Sequence, residues 1–420
     1  MTENRLLCAG CVTADTHIDQ TRGLEDTARC LDFIIAETIR RRELLSRSAF
    51  PGAHFTFSHL GDGYKTAKPT PAEADIMHRL RALRSHDIHS EILVANHDRV
   101  ESEEFGEQVH AFVDMRNLGG AMDVIEKPTI MPVLYNDVVT GNVPVIAYRL
   151  IIPHIKKADA QREGLSYPAM FKKTLDGMVA QVPPGAKIIV MSHFFVREAK
   201  VGPCDHVVGG DQLVPLADLV DPRFIAVFLG DVHKAQCLHR EKPWVGYCGS
   251  IDRIDFGEAD DAKGFIYYEL WESGIKIEFV PTPARRFVNI VADLTVPHAP
   301  GDRFAGMPDS PALVQAWLEG KVREFDTKGA KVKLTVRCGP SLKGAIDDRK
   351  LTDGFLAAGA EGVKSVNFDV VTAENRRAPE VTESLSKVDA LGHWVKVQAY
   401  PEATAQSVMA AGKKIIGAEK

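Results

Sequence analysis

A chain of 420 residues exceeds the usual single-domain length, so two or three domains are expected, with enough apolar content for a sizeable core. Charged residues at 26% and hydrophobic residues at 45% lie near the globular average, which excludes a disordered or fibrous chain. A formal net charge of −6 argues against a protein that coats nucleic acid through a broad basic surface, so any phosphate-rich partner must be held by a local site, and bound metal ions are one source of that local charge.

Short β-like apolar runs alternate with helical patterns, as in layered α/β folds. The expected strands are Leu6 to Val12, Phe55 to Leu60, Ile92 to Ala95, Val145 to Tyr148, Lys187 to Met191 and Phe224 to Leu229. Between the first two, Ala28, Leu31, Ile34, Ile35 and Ile39 recur at helical spacing. Arg40, Arg41 and Arg42 are expected to mark the C-terminal end of that helix, where cations suit its dipole. Pro69 to Arg84 predicts a second helix with Pro71 near its start and Ile76, Leu80 and Leu83 as its stripe. Alternating segments at Phe265 to Leu270 and Ile275 to Val280 suit half-buried antiparallel strands that close the first domain.

Beyond Pro281 the expected order is strand (Phe287 to Val291), helix (Ala312 to Phe325), strand (Lys331 to Arg337), helix (Leu351 to Ala358) and strand (Val363 to Val371). A polar stretch from Thr372 to Glu383 leads into a helical tail from Leu385 to Lys420. The expected division is a first domain over 1–283, a small α/β domain over 284–372, and a linker with helical tail over 373–420. Seven cysteines (Cys8, Cys11, Cys30, Cys204, Cys237, Cys248 and Cys338) lack the spacing of a disulfide framework, which predicts a reducing, cytoplasmic compartment. No apolar run approaches the roughly 18 residues that span a bilayer, so no membrane role is expected. Cys8 and Cys11 form a CxxC, but no second pair follows and the segment reads as a strand, so both are taken as structural.

The residues that carry chemistry fall just past the expected strand ends, where open α/β sheets place ligands. They are Asp15 and His17; Asp62; Asn96, His97 and Asp98; His193; and Asp231 and His233. Any one motif alone is weak, whereas five in this order, each after its own strand, are hard to obtain by chance. Two divalent cations a few ångströms apart can bind a phosphodiester oxygen, acidify a water and stabilise an in-line transition state. A carboxylate must bridge them, and Asp62 is the natural candidate.

The series DxH, GD, NHD, H and GxxH resembles the signature of calcineurin-like metallophosphoesterases. Within that superfamily the segment Tyr247 to Glu258, followed by Lys263, Gly264 and Phe265, looks like the SbcD branch of DNA repair nucleases, which includes the Mre-eleven proteins. Gly210 to Pro215 and Pro283 to Phe287 are supporting echoes. The motifs cover about residues 6 to 290. The resemblance implies a four-layer α/β fold, a calcineurin-like metallophosphoesterase β-sandwich flanked by helices, with a small α/β capping domain over the DNA and a helical C-terminal tail that docks on an SMC-like ATPase of the SbcC type. It assigns Asp15, His17 and His233 with Asp62 to one metal, and Asn96, His193 and the position of Asp231 with Asp62 to the other. Mixed nitrogen and oxygen ligation suits two Mn2+ ions, with Mg2+ as the other candidate. His97 would then face the scissile phosphate and stabilise or protonate the leaving group. Asp98 either orients that imidazole or caps its loop, and both readings stay open.

The family usually has GHxH at the fifth motif, where this chain has Gly230-Asp231-Val232-His233. A third carboxylate makes the paired site one charge less positive, so its water should be acidified less, and the harder ligand favours manganese or magnesium. An active but retuned centre is expected. Gly63 and Tyr64 also depart from the apolar residue common after the bridging Asp, which puts the local packing in question. Several other histidines (His54, His59, His78, His86, His89, His110, His154, His206 and His239) have no matching motif and are read as surface or packing residues, with His59 the one closest to a motif.

Three functions follow. The first is a homodimeric Mn-dependent nuclease acting on double- and single-stranded DNA ends in recombination and repair, as a 3′-5′ exonuclease and single-strand endonuclease, with the ATPase partner. The second is a phosphodiesterase of small phosphate esters or cyclic nucleotides. The third is a catalytically weak DNA-binding scaffold. The Tyr247 to Glu258 segment and the extra C-terminal domain favour the first.

Overall fold

The alternation of apolar strand and amphipathic helix builds two six-stranded sheets. The computed structural model describes residues 4–99, 110–116, 122–137, 140–202, 212–371, 387–397 and 402–418. Cys204, His206, Gly210, Asp211 and the stretch from Thr372 to Glu383 lie outside them. By its contacts the chain divides into two units, Met1–Val288 with Gly329–Lys331, and Asn289–Lys328 with Val332–Lys420.

The first sheet of the first unit runs in the order β12 (Gly274–Pro281), β11 (Gly264–Trp271), β1 (Leu6–Thr13), β2 (His54–His59), β3 (His89–Leu93) and β4 (Met122–Ile125). The second runs β5 (Thr129–Leu134), β6 (Val145–Ile152), β7 (Ile188–His193), β8 (Phe224–Gly230), β10 (Trp244–Tyr247) and β9 (Gln236–His239). Strands β1 to β4 are parallel, as are β6, β7, β8 and β10, while β11, β12, β5 and β9 add antiparallel edges. Every parallel strand therefore delivers its C-terminal end to the same rim of its sheet.

Side-chain alternation sorts each strand between two cores. Inward residues such as Cys8, Val12, Leu93, Ile151, Met191, Phe228 and Tyr268 form one cluster. Cys11, Phe55, Phe57 and Ile92 pack outward on helices α1 (Leu24–Ser46) and α2 (Pro71–His78). Val190, Phe224 and Val227 pack on Phe171 and Leu175, further along the chain. The result is mixed α/β with two large mixed sheets flanked by helices, as expected. Cys8 and Cys11 fall on opposite faces of β1, both free and with burial pushing each thiol up to about 12, so they cannot share a ligand.

Helix α1 buries Ala28, Leu31, Ile34 and Ile35 as its spacing predicts. Full burial of side chains such as Leu31 and Ile34 is worth about 1.5–3 kcal/mol each. It does not stop at Arg42, however. Leu45 is buried one turn further on, which carries the helix to Ser46 and leaves the three arginines within it. Their role is ion pairing: Arg40 and Arg41 hold Glu37, and Arg41 also grips Glu278 at 2.8 Å and lies over the Tyr267 ring. The second predicted helix begins on a capping box between Thr70 and Glu73 but tightens at Arg79 into a 3-10 turn that runs to His86. Leu80 and Leu83 stay buried through that change of pitch.

The remaining helices of this unit are α3 (Val113–Arg116), α4 (Lys157–Arg162) and α5 (Tyr167–Val179), the last bearing Phe171 and Leu175. In the second unit, β13 (Phe287–Asp293), β14 (Lys331–Cys338) and β15 (Gly362–Val370) form a three-stranded sheet. Helices α6 (Pro311–Arg323), α7 (Pro340–Lys343) and α8 (Asp348–Ala357) accompany it, with Val314, Leu318, Val322, Leu351 and Phe355 buried alongside Val332, Leu334 and Val336. In the tail, α9 (Lys387–Val397) and α10 (Glu402–Ala418) pack on each other. Among the described residues no helix is long and apolar enough to cross a membrane.

A buried ion pair helps tie the two large sheets together. Glu91 on β3 accepts from Ser58 on β2 at 2.7 Å and from the Arg149 guanidinium on β6, and both charged groups are buried. Removing one partner strands the other charge in an apolar layer. Arg149→Met should therefore lower the unfolding free energy by about 3–5 kcal/mol. The double change with Glu91→Leu should recover most of it, as read by urea denaturation; a single-variant loss below about 1 kcal/mol would show that the pair is inert.

Candidate metal centre

The strand-end residues converge because their strands are parallel and adjacent. Asp15 and His17 follow β1, Asp62 follows β2, Asn96 to Asp98 follow β3, His193 is the last residue of β7, and Asp231 and His233 follow β8. Three overlapping groups have ligand atoms within 4.8 Å of one another: Asp15, His17 and His233; Asp15, Asp62 and His193; and His17, Asp62 and His97. Asp231 joins them through its Oδ1, 3.5 Å from His193 Nε2. Asn96 is exposed at the start of its loop.

The local backbone is shaped for this. Asp15, His17, Asp62 and Asp231 all have positive φ, at 52°, 42°, 55° and 92°. Such conformations are uncommon outside glycine and cluster at functional sites. They are held by cross-loop hydrogen bonds from Asp15 N–H to Gly61 O at 3.0 Å and from His17 N–H to Asp62 O at 2.9 Å. His193 lies against Gly61 and Gly230, where a Cβ would come within 2.9 and 2.8 Å of its Nδ1. Gly63 similarly touches Met77 and Phe112 so closely that no side chain fits, which accounts for a glycine after Asp62 where an apolar residue was expected.

Hydrogen bonding fixes the imidazole tautomers. His193 Nδ1 donates to Leu60 O at 2.6 Å, so its Nε2 lone pair is left facing Asp62 Oδ2 at 3.4 Å and Asp231 Oδ1 at 3.5 Å. That buried Nε2 has no hydrogen-bond partner. His233 Nδ1 donates to Glu258 at 2.8 Å, and its Nε2 stands 3.1 Å from His17 Nε2. Lone pairs aimed at carboxylates and at each other are satisfied by a cation between them, and the imidazole and carboxylate donors suit divalent first-row metals. The residues therefore fit two divalent ions, with Asp62 common to two of the groups and Asp15 and His17 each shared as well.

Electrostatics point the same way. Burial pushes the Asp15 carboxyl up to about 7, and the Asp62 and Asp231 charges add to it. Burial would raise Asp62 too, but the imidazoles, His193 foremost, hold it below the usual carboxylate range. Burial drives His17 well below the ordinary histidine value, whereas Asp62 and Asp231 overcome burial at His193 and raise it. Groups of one type are thus split in opposite directions by a shortage of positive charge.

The two readings of Asp98 separate clearly in the hydrogen bonds. Its buried carboxylate accepts from the N–H groups of Asp62, Gly63 and Ala95 at 2.9–3.0 Å, with a longer contact from Tyr64, which is the work of a loop cap. His97 is oriented by backbone instead: its Nδ1 meets Lys65 O at 3.2 Å and its N–H meets Asp62 Oδ1 at 3.2 Å. Its ring also stands edge-on to His17 at 5.1 Å. His59 is a satisfied core histidine, bonded to Thr16 at 2.7 Å and accepting from Gly61 N–H.

One supporting group carried no assigned role in the sequence. Glu258 holds His233 while accepting from Lys263 Nζ at 2.8 Å and from Ile254 N–H at 2.9 Å. His154 follows β6 by two residues, and its signal was hidden because the apolar run to Ile152 was read as ending at Tyr148.

No family model and no curated protein matches this sequence. Among solved structures 93 chains match. The chain is similar to a dimetal phosphatase from Danio rerio at 9% identity and TM-score 0.38, covering 66% of this chain and 99% of that one. It is similar to a putative 5′-nucleotidase from Staphylococcus aureus at 10% identity and TM-score 0.39, covering 66% and 54%. A phosphopantetheinyl hydrolase from Mycobacterium tuberculosis gives 12% identity and TM-score 0.31 over 58% and 90%. Likenesses this weak carry no argument about the site.

Burial alone would raise the Glu258 carboxyl, but the His233 bond and the Lys263 charge outweigh it and hold it at about 2. Its stabilising share is therefore present above the unfolded range near about 4.3 and is lost as pH falls towards 2. Glu258→Gln should weaken Mn2+ binding by about 10- to 100-fold in calorimetry, with a matching loss of metal-induced thermal stabilisation. Unchanged affinity would remove Glu258 from the support of His233.

Proposed function

We propose that this protein is a metal-dependent phosphoester hydrolase that cleaves phosphodiester bonds at DNA ends. The observation that carries the hydrolase reading is the sharing of Asp62 between two donor groups, with His193 Nε2 unpartnered beside it. The DNA reading is supported by the resemblance of the segment from Tyr247 to Glu258, whose Glu258 also holds His233. Manganese as the ion, an SMC-like ATPase as partner and a homodimer as the assembly belong to the same proposal.

When bound, paired divalent ions supply Lewis acidity and a nucleophile at neutral pH. The protein's share is orientation and proton handling. Asp62, Asp15, His17, His193, Asp231 and His233 would hold the ions, with Asn96 as a further candidate on the loop after β3. His97, with Nδ1 engaged by Lys65 O, keeps Nε2 available to the leaving oxygen and would stabilise or protonate it there. Asp98 keeps the loops of Asp62 and His97 in register through their backbone N–H groups.

The test is Mn-dependent degradation of linear duplex DNA by wild type and His97→Ala, with metal content measured alongside. Wild type should digest DNA with Mn2+ and stop with chelator, and His97→Ala should lose about 10²- to 10⁴-fold in rate while keeping its metal. Should both proteins ignore DNA yet hydrolyse bis(p-nitrophenyl) phosphate, the DNA reading fails and a small-ester phosphodiesterase takes its place. A wild type that binds no metal leaves only a scaffold.

A further inference from the structure

His59, the last residue of β2, is fully buried, and both of its ring nitrogens are engaged. Gly61 N–H donates to Nδ1 at 3.2 Å, and Nε2 lies 2.7 Å from Thr16 Oγ1. A backbone N–H can only donate, so Nδ1 is the acceptor, and Nε2 carries the proton and donates it to the threonine hydroxyl. Burial pushes this imidazole down to about 4, which keeps the ring neutral and in that tautomer at neutral pH.

The two bonds end on two different loops of the metal centre. Thr16 stands between Asp15 and His17, and Gly61 directly precedes Asp62. Strands β1 and β2 are parallel, with Thr13 opposite His59. Past their ends the loops stay in step through Asp15 N–H to Gly61 O, His17 N–H to Asp62 O and Ile18 N–H to Gly63 O, all at 2.9–3.0 Å. The His59 ring adds a side-chain tie across the same pair of loops. It reaches them where Asp15, His17 and Asp62 hold left-handed φ, a conformation that persists only when its surroundings over-determine it. Gly61 is also where His193 closes down: an added Cβ there would come within 2.9 Å of His193 Nδ1, and Leu60 O accepts from that nitrogen at 2.6 Å.

Both donor groups that contain Asp62 draw a ligand from the β1 loop, Asp15 with Asp62 and His193, and His17 with Asp62 and His97. The separation of the two loops therefore decides whether one carboxylate can serve two ions. Ligand constellations work when supporting hydrogen bonds hold them to within about 0.5 Å. An apolar side chain at position 59 could fill the volume, but it would take a partner from both Thr16 Oγ1 and Gly61 N–H.

We propose that His59 is a positioning residue of the metal centre: by bonding Thr16 and Gly61 at once, it sets the separation of Asp15 and His17 from Asp62 before any ion binds. Its ring touches neither ion nor substrate. The proposal deepens the metal-dependent hydrolase reading and rests on it for the presence of the ions.

The experiment measures Mn2+ binding to the full chain by calorimetry, the EPR spectrum of the Mn-loaded protein, and urea unfolding of the metal-free protein. The proteins are wild type, Thr16→Val, Thr16→Ser, His59→Leu, His59→Gln and the double variant Thr16→Val with His59→Leu. Thr16→Val keeps the volume and removes the hydroxyl; it should weaken Mn2+ binding by about 10-fold and convert part of the spin-coupled signal of paired ions into that of isolated ones. Thr16→Ser should recover most of the affinity. His59→Leu should lose at least as much as Thr16→Val, and His59→Gln, whose amide can accept from Gly61 and donate to Thr16, should lose less. The double variant should bind no more weakly than His59→Leu alone, because both changes remove the same bond. A purely structural bond would lower the urea midpoint while leaving Mn2+ affinity and the EPR spectrum at wild-type values in Thr16→Val and His59→Leu, and that result overturns the proposal. Equal losses in Thr16→Val and Thr16→Ser overturn it too. If His59→Leu does not fold, Thr16→Val against Thr16→Ser decides by the same readouts. A wild type that binds no Mn2+ overturns the metal reading and this proposal with it, whereas a wild type that binds Mn2+ and hydrolyses phosphodiesters alongside indifferent variants overturns the His59 proposal alone.

Discussion

Three carboxylates and three imidazoles, those of Asp15, Asp62, Asp231, His17, His193 and His233, are brought to the rim of two sheets, with Asp15, Asp62, His17 and His193 buried and Asp231 and His233 partly so. Protons alone distribute badly over such a set. Asp15 is driven up while Asp62 is held down, and His17 is driven down while His193 is raised. Positive charge placed among the ligand atoms relieves every one of these conflicts at once, because it favours ionised carboxylates and neutral imidazoles together. The hydrogen bonds already anticipate that state: His193 and His233 each spend Nδ1 on an oxygen acceptor and turn Nε2 inward.

Holding that cluster requires backbone that would not form in isolation. Left-handed conformations at four non-glycine residues cost of order 1–3 kcal/mol each, and they persist because their surroundings over-determine them. Asp98 gathers the N–H groups of two loops, Gly61 and Gly230 let His193 close down between strands, and the large cores on either face of each sheet supply the stability. Asp98 is therefore a mechanical part of the site. Its effect on His97 passes through the loop they share, while the ring itself is set by Lys65 O.

Much of this was legible in the chain. Apolar runs located the central strands and the stripes of α1 and α2, because burial on one face imposes a period that survives in the sequence. Helix ends were less so: Arg40 to Arg42 looked like a terminal cluster, yet partners far along the chain, Glu278 and Tyr267, hold Arg41 within the helix. Strands β4, β5, β9 and β10 were not singled out, since short or partly exposed segments carry weak periodicity; helix α5 was passed over although Tyr167, Phe171, Leu175 and Met178 recur at helical spacing and are buried. A different cause hid His154: the charged but buried Arg149 interrupts the apolar run of β6, so the strand was read as ending at Tyr148. Once β6 is seen to run to Ile152, that histidine stands at a strand end like the others.

By itself the sequence determined the layered α/β class and the five strand-end motifs, because both depend on local order: period within a strand, and ligand residues immediately after it. Only the tertiary structure decided which of those residues lie close enough to hold a cation together, which tautomer His193 and His233 adopt, and that Asp98 caps a loop. It alone showed that Arg99 Nε and His154 Nδ1 make no hydrogen bond among the described residues. These are properties of contacts between strands distant in sequence, such as Leu60 with His193 and Glu258 with His233, whose pairing no local pattern encodes.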